Sequence, residues 1–134
     1  MLNKQIKYLV SYFVITMAWA YPWHMVLFHD KYKVWGAVTR EHPIMIYGII
    51  AIIIQGLVIG YLYPKLIANT QSTIKLGIKY NLIIGLMTYT AMGFATAAKI
   101  NIEPSTTFLA YHTVFQFIQF CLTGVALGLI YKEN

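Results

Sequence analysis

The chain has 134 residues, of which 59% are hydrophobic and 16% aromatic, while only 10% are charged, well under half the roughly 25% found in a soluble domain. That composition excludes an ordinary soluble enzyme. The formal net charge of +6 does not point to nucleic acid either, because the basic residues lie beside apolar segments and form no basic groove with interleaved aromatics.

None of the ten basic and four acidic side chains falls within 8–28, 44–63, 80–98 or 108–131, and about 20 uncharged residues is the length that a bilayer-spanning helix needs. The expected fold is an all-α four-helix transmembrane bundle, one integral membrane domain over residues 1–134. The first span follows Lys4 and Lys7. With Ala18-Trp19-Ala20 it also resembles a signal peptide, but the apolar run continues to Phe28, long enough for a full span. Pro22 removes a backbone hydrogen bond and is expected to kink the last turns. A polar connection, His29 to Pro43, leads to the second span, which Glu41 and Pro43 announce as a helix start. The next connection, 65–79, centres on Asn69-Thr70-Gln71-Ser72-Thr73, a loop by composition. The third span ends before Lys99, and Glu103-Pro104 announces the fourth.

Lys4, Lys7, Lys65, Lys75, Lys79 and Lys132 lie on one side of these spans, and Lys31, Lys33, Arg40 and Lys99 on the other. The positive-inside rule then puts both termini in the cytoplasm. The two halves also share a pattern. Lys7-Tyr8 and Lys79-Tyr80 open spans one and three, and Gly56-x-x-x-Gly60-x-x-Tyr63 returns as Gly124-x-x-x-Gly128-x-x-Tyr131. This reads either as two parallel helical-hairpin repeats or as convergence, since Gly and interfacial Tyr are common in transmembrane helices.

Small and polar residues mark where helices meet in lipid. On span four His112, Gln116, Gln119 and Thr123 share one face. On span three the stripe is Asn81, Gly85, Thr88, Met92, Ala95 and Lys99, and on span two Gly48, Ala51 and Gln55. These groups read either as interhelical hydrogen bonds or as the lining of a path or pocket for a polar solute, proton or cofactor. All four histidines, with Asp30, Glu41 and Glu103, fall on the outer side; of the acidic residues only Glu133 does not. His24 and His112 each lie about one turn inside a span, at similar depth if their helices are neighbours. Candidate ligand-binding residues are therefore His24, His112, Gln116, Gln119, Gln55 and Thr88, with His24, His112 and His29 as candidate ligands for a transition metal or haem. No cofactor is required by the sequence. Cys121 is a lone mid-span cysteine, so it forms no intramolecular disulfide. There is no phosphate-cradling glycine loop, nucleophile elbow or intramembrane carboxylate pair.

Tyr21-Pro22, Leu27-Phe28 and Trp35, then Asn101-Ile102-Glu103-Pro104, Phe108-Leu109, Tyr111-His112 and Gly124-Val125-Ala126-Leu127-Gly128 resemble a group of small bacterial four-helix integral membrane proteins classed as a domain of unknown function. The resemblance implies the fold and a bacterial inner-membrane location, and no activity. The chain departs from that group in carrying His24 and His29 where small or apolar residues stand. The leading expectation is a non-enzymatic membrane protein that binds or moves a small solute or ion through a polar interior, as a homo-oligomer. The alternatives are an accessory subunit of a larger membrane complex, docked through its glycine faces, and a haem- or metal-binding subunit.

Overall fold

The computed structural model describes residues 2–68 and 70–132; Asn69 of the predicted loop and Glu133 lie outside the described residues. The chain is all-helical, with no strand among the described residues. Helix α1 (Leu2–Tyr21) runs into a π-helical segment, π1 (Pro22–Leu27), and α2 (His29–Val34) follows. Then come α3 (Met45–Leu66), α4 (Ile74–Tyr89), a second π-helical segment π2 (Thr90–Phe94), α5 (Ala95–Lys99) and α6 (Ser105–Tyr131). Among the described residues three stretches are long and apolar enough to cross a membrane: Met45–Leu66, Ile74–Lys99 and Ser105–Tyr131. The first predicted span, 8–28, is helical as far as Leu27 but is not among them. Its first turns carry Lys4 and Lys7, and its buried face is Tyr8, Tyr12 and Thr16 where an aliphatic span would have Leu or Ile.

Local chemistry explains where the elements depart from the sequence reading. Pro22 has no N–H to give, and the helix widens its register there: Phe28 N bonds Trp23 O at 3.1 Å, five residues back. The predicted 29–43 connection contains α2, with Asp30 in its first turn and Lys31 and Lys33 in its last, the order that the helix dipole favours. Gly36 ends it at φ 78°; Gly36 N bonds Lys33 O at 3.0 Å and Ala37 N bonds Tyr32 O at 2.9 Å, a Schellman closure. The 65–79 connection is shorter than expected, because α4 begins at Ile74. Thr73 caps it, its hydroxyl accepting from Leu76 N at 3.1 Å. Lys75 and Lys79, read as loop residues, sit exposed on the first turns of the helix.

The glycines decide which helices touch. A Cβ on Gly77 would meet Gly124 O and the backbone of Gly128, and one on Gly124 would lie 2.7 Å from Ile78 Cα. Helices α4 and α6 therefore cross backbone on backbone. In the other half Gly56 faces Leu9 and Tyr12 of α1, and Gly60 faces Tyr8 and Gln5, with Cβ positions 3.0–3.4 Å from their side chains. Each G-x-x-x-G helix thus packs on the long helix that precedes it. Gly56 and Gly124, Gly60 and Gly128, Tyr63 and Tyr131, and the first residues of π1 and π2 are all 68 positions apart. Lys7-Tyr8 and Lys79-Tyr80, 72 apart, do not follow that register.

One correction concerns the glycine faces as docking surfaces: all four motif glycines are occupied within the chain. A second concerns span two. Gly48 has nothing within 4 Å of its Cβ position and Ala51 is exposed, so the first turns of α3 stand clear of the other long helices. Its packing on the other helices begins at Ile52 and runs to Tyr63.

Gly77→Ala is expected to lower thermal stability in detergent, by about 1–3 kcal/mol as overpacking does, whereas Gly48→Ala leaves it unchanged. Equal unfolding temperatures for the two variants would contradict the α4–α6 contact.

Candidate functional site

Helix α6 supplies the centre of the molecule. Its stripe of His112, Gln116, Gln119 and Thr123 is buried, as the spacing predicts. The structure divides the stripe between two polar clusters. The inner one draws on all four long helices. Asn81 Nδ2 of α4 donates to Phe120 O at 2.8 Å and to Thr123 Oγ1 at 2.7 Å, and Thr123 donates to Gln119 O at 2.8 Å. Gln119 Nε2 reaches Thr16 Oγ1 of α1 at 3.5 Å, and Tyr12 donates to Gln55 Oε1 of α3 at 2.8 Å. Gln55 and Gln119, predicted as ligand-binding, are thus engaged in holding helices together. Towards the cytoplasmic end predicted from charge, Tyr131 donates to Gly60 O at 2.6 Å and Ser72 to Gly128 O at 3.0 Å. The cluster Tyr8, Tyr12, Ile59, Tyr63, Phe120, Leu127 and Tyr131 fills this half of the molecule.

The inner cluster keeps two unpaired buried atoms, Tyr8 Oη and Asn81 Oδ1, beside the bonds just described; the outer cluster has no such bonds between its members. His112 is 6% and Gln116 5% exposed, yet His112 Nε2 and Gln116 Oε1 have no hydrogen-bond partner among the described residues. They lie four residues apart, one above the other on α6. The His112 ring is stacked between Phe108, at 5.6 Å and 13°, and Tyr89, at 5.7 Å and 22°. Gln116 Nε2 has only the Met92 sulfur at 4.0 Å, a weak acceptor. A buried polar atom left unpaired costs about 1–3 kcal/mol, so two neighbouring ones mark a place where a partner is missing.

Both π segments flank this pair. From π1, His24 packs edge-on against Phe115 at 4.4 Å, and Phe115 also neighbours the His112 ring at 6.3 Å. From π2, Gly93 lies against His112, its Cβ position 3.0 Å from Cδ2, and Met92 meets Gln116. π-helical turns are uncommon and concentrate at functional sites. Tyr32 of α2 lies 5.2 Å from His24 and accepts from Trp23 Nε1 at 3.0 Å. Burial pushes the Tyr32 phenol up from its ordinary pKa, with the Trp23 bond acting in the opposite sense. Its hydroxyl therefore stays protonated at neutral pH.

Two residues of the expected α4 stripe behave differently from Asn81 and Gly85. Thr88 turns its hydroxyl to Ile84 O of its own helix at 3.3 Å. Met92, expected in the interior stripe, is 47% exposed, because π2 adds to the turn and brings Gly93 to the buried face in its place. Of the metal candidates, His24 and His112 both pack on Phe115; among the described residues no three His, Cys, Asp or Glu side chains gather. His29 opens α2, its Nδ1 buried and unpartnered. The inner hydroxyls of Tyr8, Tyr12 and Thr16 were not among the expected site residues. Their spacing of four along α1 is the signal that would have found them.

Replacing Gln116 by Leu removes an unpaired amide, so stability is expected to hold or rise. Asn81→Leu removes two made bonds and should destabilise by about 1 kcal/mol, within the range for interhelical hydrogen bonds in membranes. A loss at Gln116 as large as that at Asn81, read by thermal unfolding in detergent, would make Gln116 structural.

Comparisons with sequence-family models, with curated proteins and with solved structures give no match, so the family resemblance gains no support from them, and the site's own chemistry is what bears on function.

Proposed function

We propose that the chain is a four-span membrane protein that binds a small hydrogen-bonding molecule in its outer half, between the two π segments. The observation that carries this reading is the buried, unpaired pair His112 Nε2 and Gln116 Oε1. Conduction along the axis is the weaker form of the same idea, because tyrosine rings fill the inner half and the polar groups there are largely bonded to one another. The polar column favours retention of a ligand over passage of a hydrated ion. Protein purified from its native membrane is expected to yield, on organic extraction, a small molecule at about one per chain, lost in Gln116→Leu and reduced in His112→Phe. Wild-type protein that yields nothing beyond bulk lipid would overturn the proposal.

The orientation belongs to the same proposal: a bacterial inner-membrane location, termini and 67–73 connection cytoplasmic, histidines outside. A cysteine placed at Thr39 should react with a membrane-impermeant maleimide added to intact cells, and one at Gln71 should react only after permeabilisation. The opposite pattern would reverse the orientation.

A second reading, an accessory or self-associating subunit, is favoured by one observation, the uncovered first turns of α3 around Gly48 and Ala51. There a neighbouring helix meets no side chain at Gly48. Cross-linking through a cysteine at Ala51 tests it, and exclusively monomeric product would count against it.

A further inference from the structure

We propose that the ligand is an uncharged amphiphile that reaches the site from the bilayer, its apolar chain lying in a groove between α4 and α6 and its hydroxyl head bonded to the Gln116 amide. The inference rests on the binding role assigned above to Gln116. The groove has a volume of about 320 Å³, at the lower end of the range for small-molecule sites. Gly85 and Phe120 form its floor and are buried, and Leu86 and Phe117 form its rims and are exposed. Both rims lie in the middle of spans, so the opening faces acyl chains.

Access explains the choice of route. Towards the outside, Trp23, Tyr32, Trp35, Ile102, Phe108 and Phe115 close into one apolar cluster above the site. On the inner side the tyrosine cluster closes the other end. Gln116 lines the lateral groove, and a turn of its amide brings the buried oxygen to a molecule dissolved in the bilayer without either layer being crossed.

The polar lining fixes the head group. Tyr89 and Thr113 also line the groove, but their hydroxyls are 2.7 Å apart and Thr113 donates to Leu109 O at 2.7 Å. Neither hydroxyl has a proton left to give, whereas the Gln116 amide has both an unpaired accepting oxygen and a nitrogen with only the Met92 sulfur. Rotation about its terminal bond presents either atom. No cationic side chain lines the groove, so an ionised head would be buried without a counter-charge, at high cost. A single hydroxyl satisfies the oxygen as donor.

The test is photolabelling of the protein in phosphatidylcholine vesicles with a long-chain primary alcohol carrying a diazirine in its chain, beside its methyl ether, which has the same chain and no donor. The alcohol should label peptides spanning Leu82–Tyr89 and Thr113–Phe120 about threefold or more above the ether, the factor that one net hydrogen bond supplies. Gln116→Leu should bring the alcohol down to the ether's level. Leu86→Trp, which fills the groove from an exposed position, should lower labelling by both. Equal labelling by alcohol and ether, or labelling insensitive to Gln116→Leu, overturns the amphiphile. If the extracted molecule is nonetheless lost from Gln116→Leu, the site stands and only the lateral route falls. If nothing is extracted either, both fall.

Discussion

The closeness of α4 to α6 is the constraint on which the rest depends. Within a bilayer no hydrophobic force draws helices together, so packing and polar contacts must do so. Three glycines, Gly77, Gly124 and Gly128, let two backbones meet where any side chain would collide. Once α4 is held there, Asn81 falls within reach of Thr123. α6 becomes the helix to which the others attach. α1 joins it through Thr16 at Gln119 and through Trp19, whose Nε1 donates to Phe115 O at 3.1 Å. α3 joins through the Tyr131 hydroxyl on Gly60, and Ser72 fastens the inner connection to Gly128.

The π segments follow from the same geometry. A straight α-helix drifts away from its neighbour's face, but a wider turn keeps residues four apart in line. Asn81, Gly85 and Gly93 are buried on one face of the α4–π2 rod, a spacing of four and then eight that a 3.6-residue repeat does not sustain. The outer end of the rod therefore stays against α6, and Gly93 lets it approach the His112 ring. Both π segments occur in the helix that receives a G-x-x-x-G partner, at the same offset. The two hairpins differ in closeness: α3 glycines meet side chains of α1, whereas α4 and α6 meet backbone on backbone.

Much of this was legible in the sequence, and the exceptions have physical causes. The buried stripe of α6 could be read because that helix runs 27 residues without a proline or a π turn, so periodicity holds along its length. The α4 stripe was right at Asn81 and Gly85, half-buried at Thr88 and wrong at Met92, because a π insertion after Tyr89 leaves no mark that a fixed period detects. Helix starts at Leu2 and Ile74 were missed because lysines were read as the end of a span, whereas long cationic side chains can ride on the first turns of a helix. In α2 the charged residues hid a helix held by Tyr32 and Trp35. Which polar residues were free could not be read at all. Gln55, Gln116 and Gln119 are the same chemical group, and only the packing shows that two are engaged and one is left unpaired.

The central claim is that the His112–Gln116 pair awaits a partner from outside the chain. The most direct measurement is a crystal structure of the protein grown in a lipidic phase, after purification from its native membrane without delipidation. The account predicts a non-protein group with an oxygen or nitrogen within about 2.7–3.2 Å of Gln116 Oε1 or His112 Nε2. A structure in which these two atoms pair with each other, with the α4 backbone, or with a lone water would contradict it.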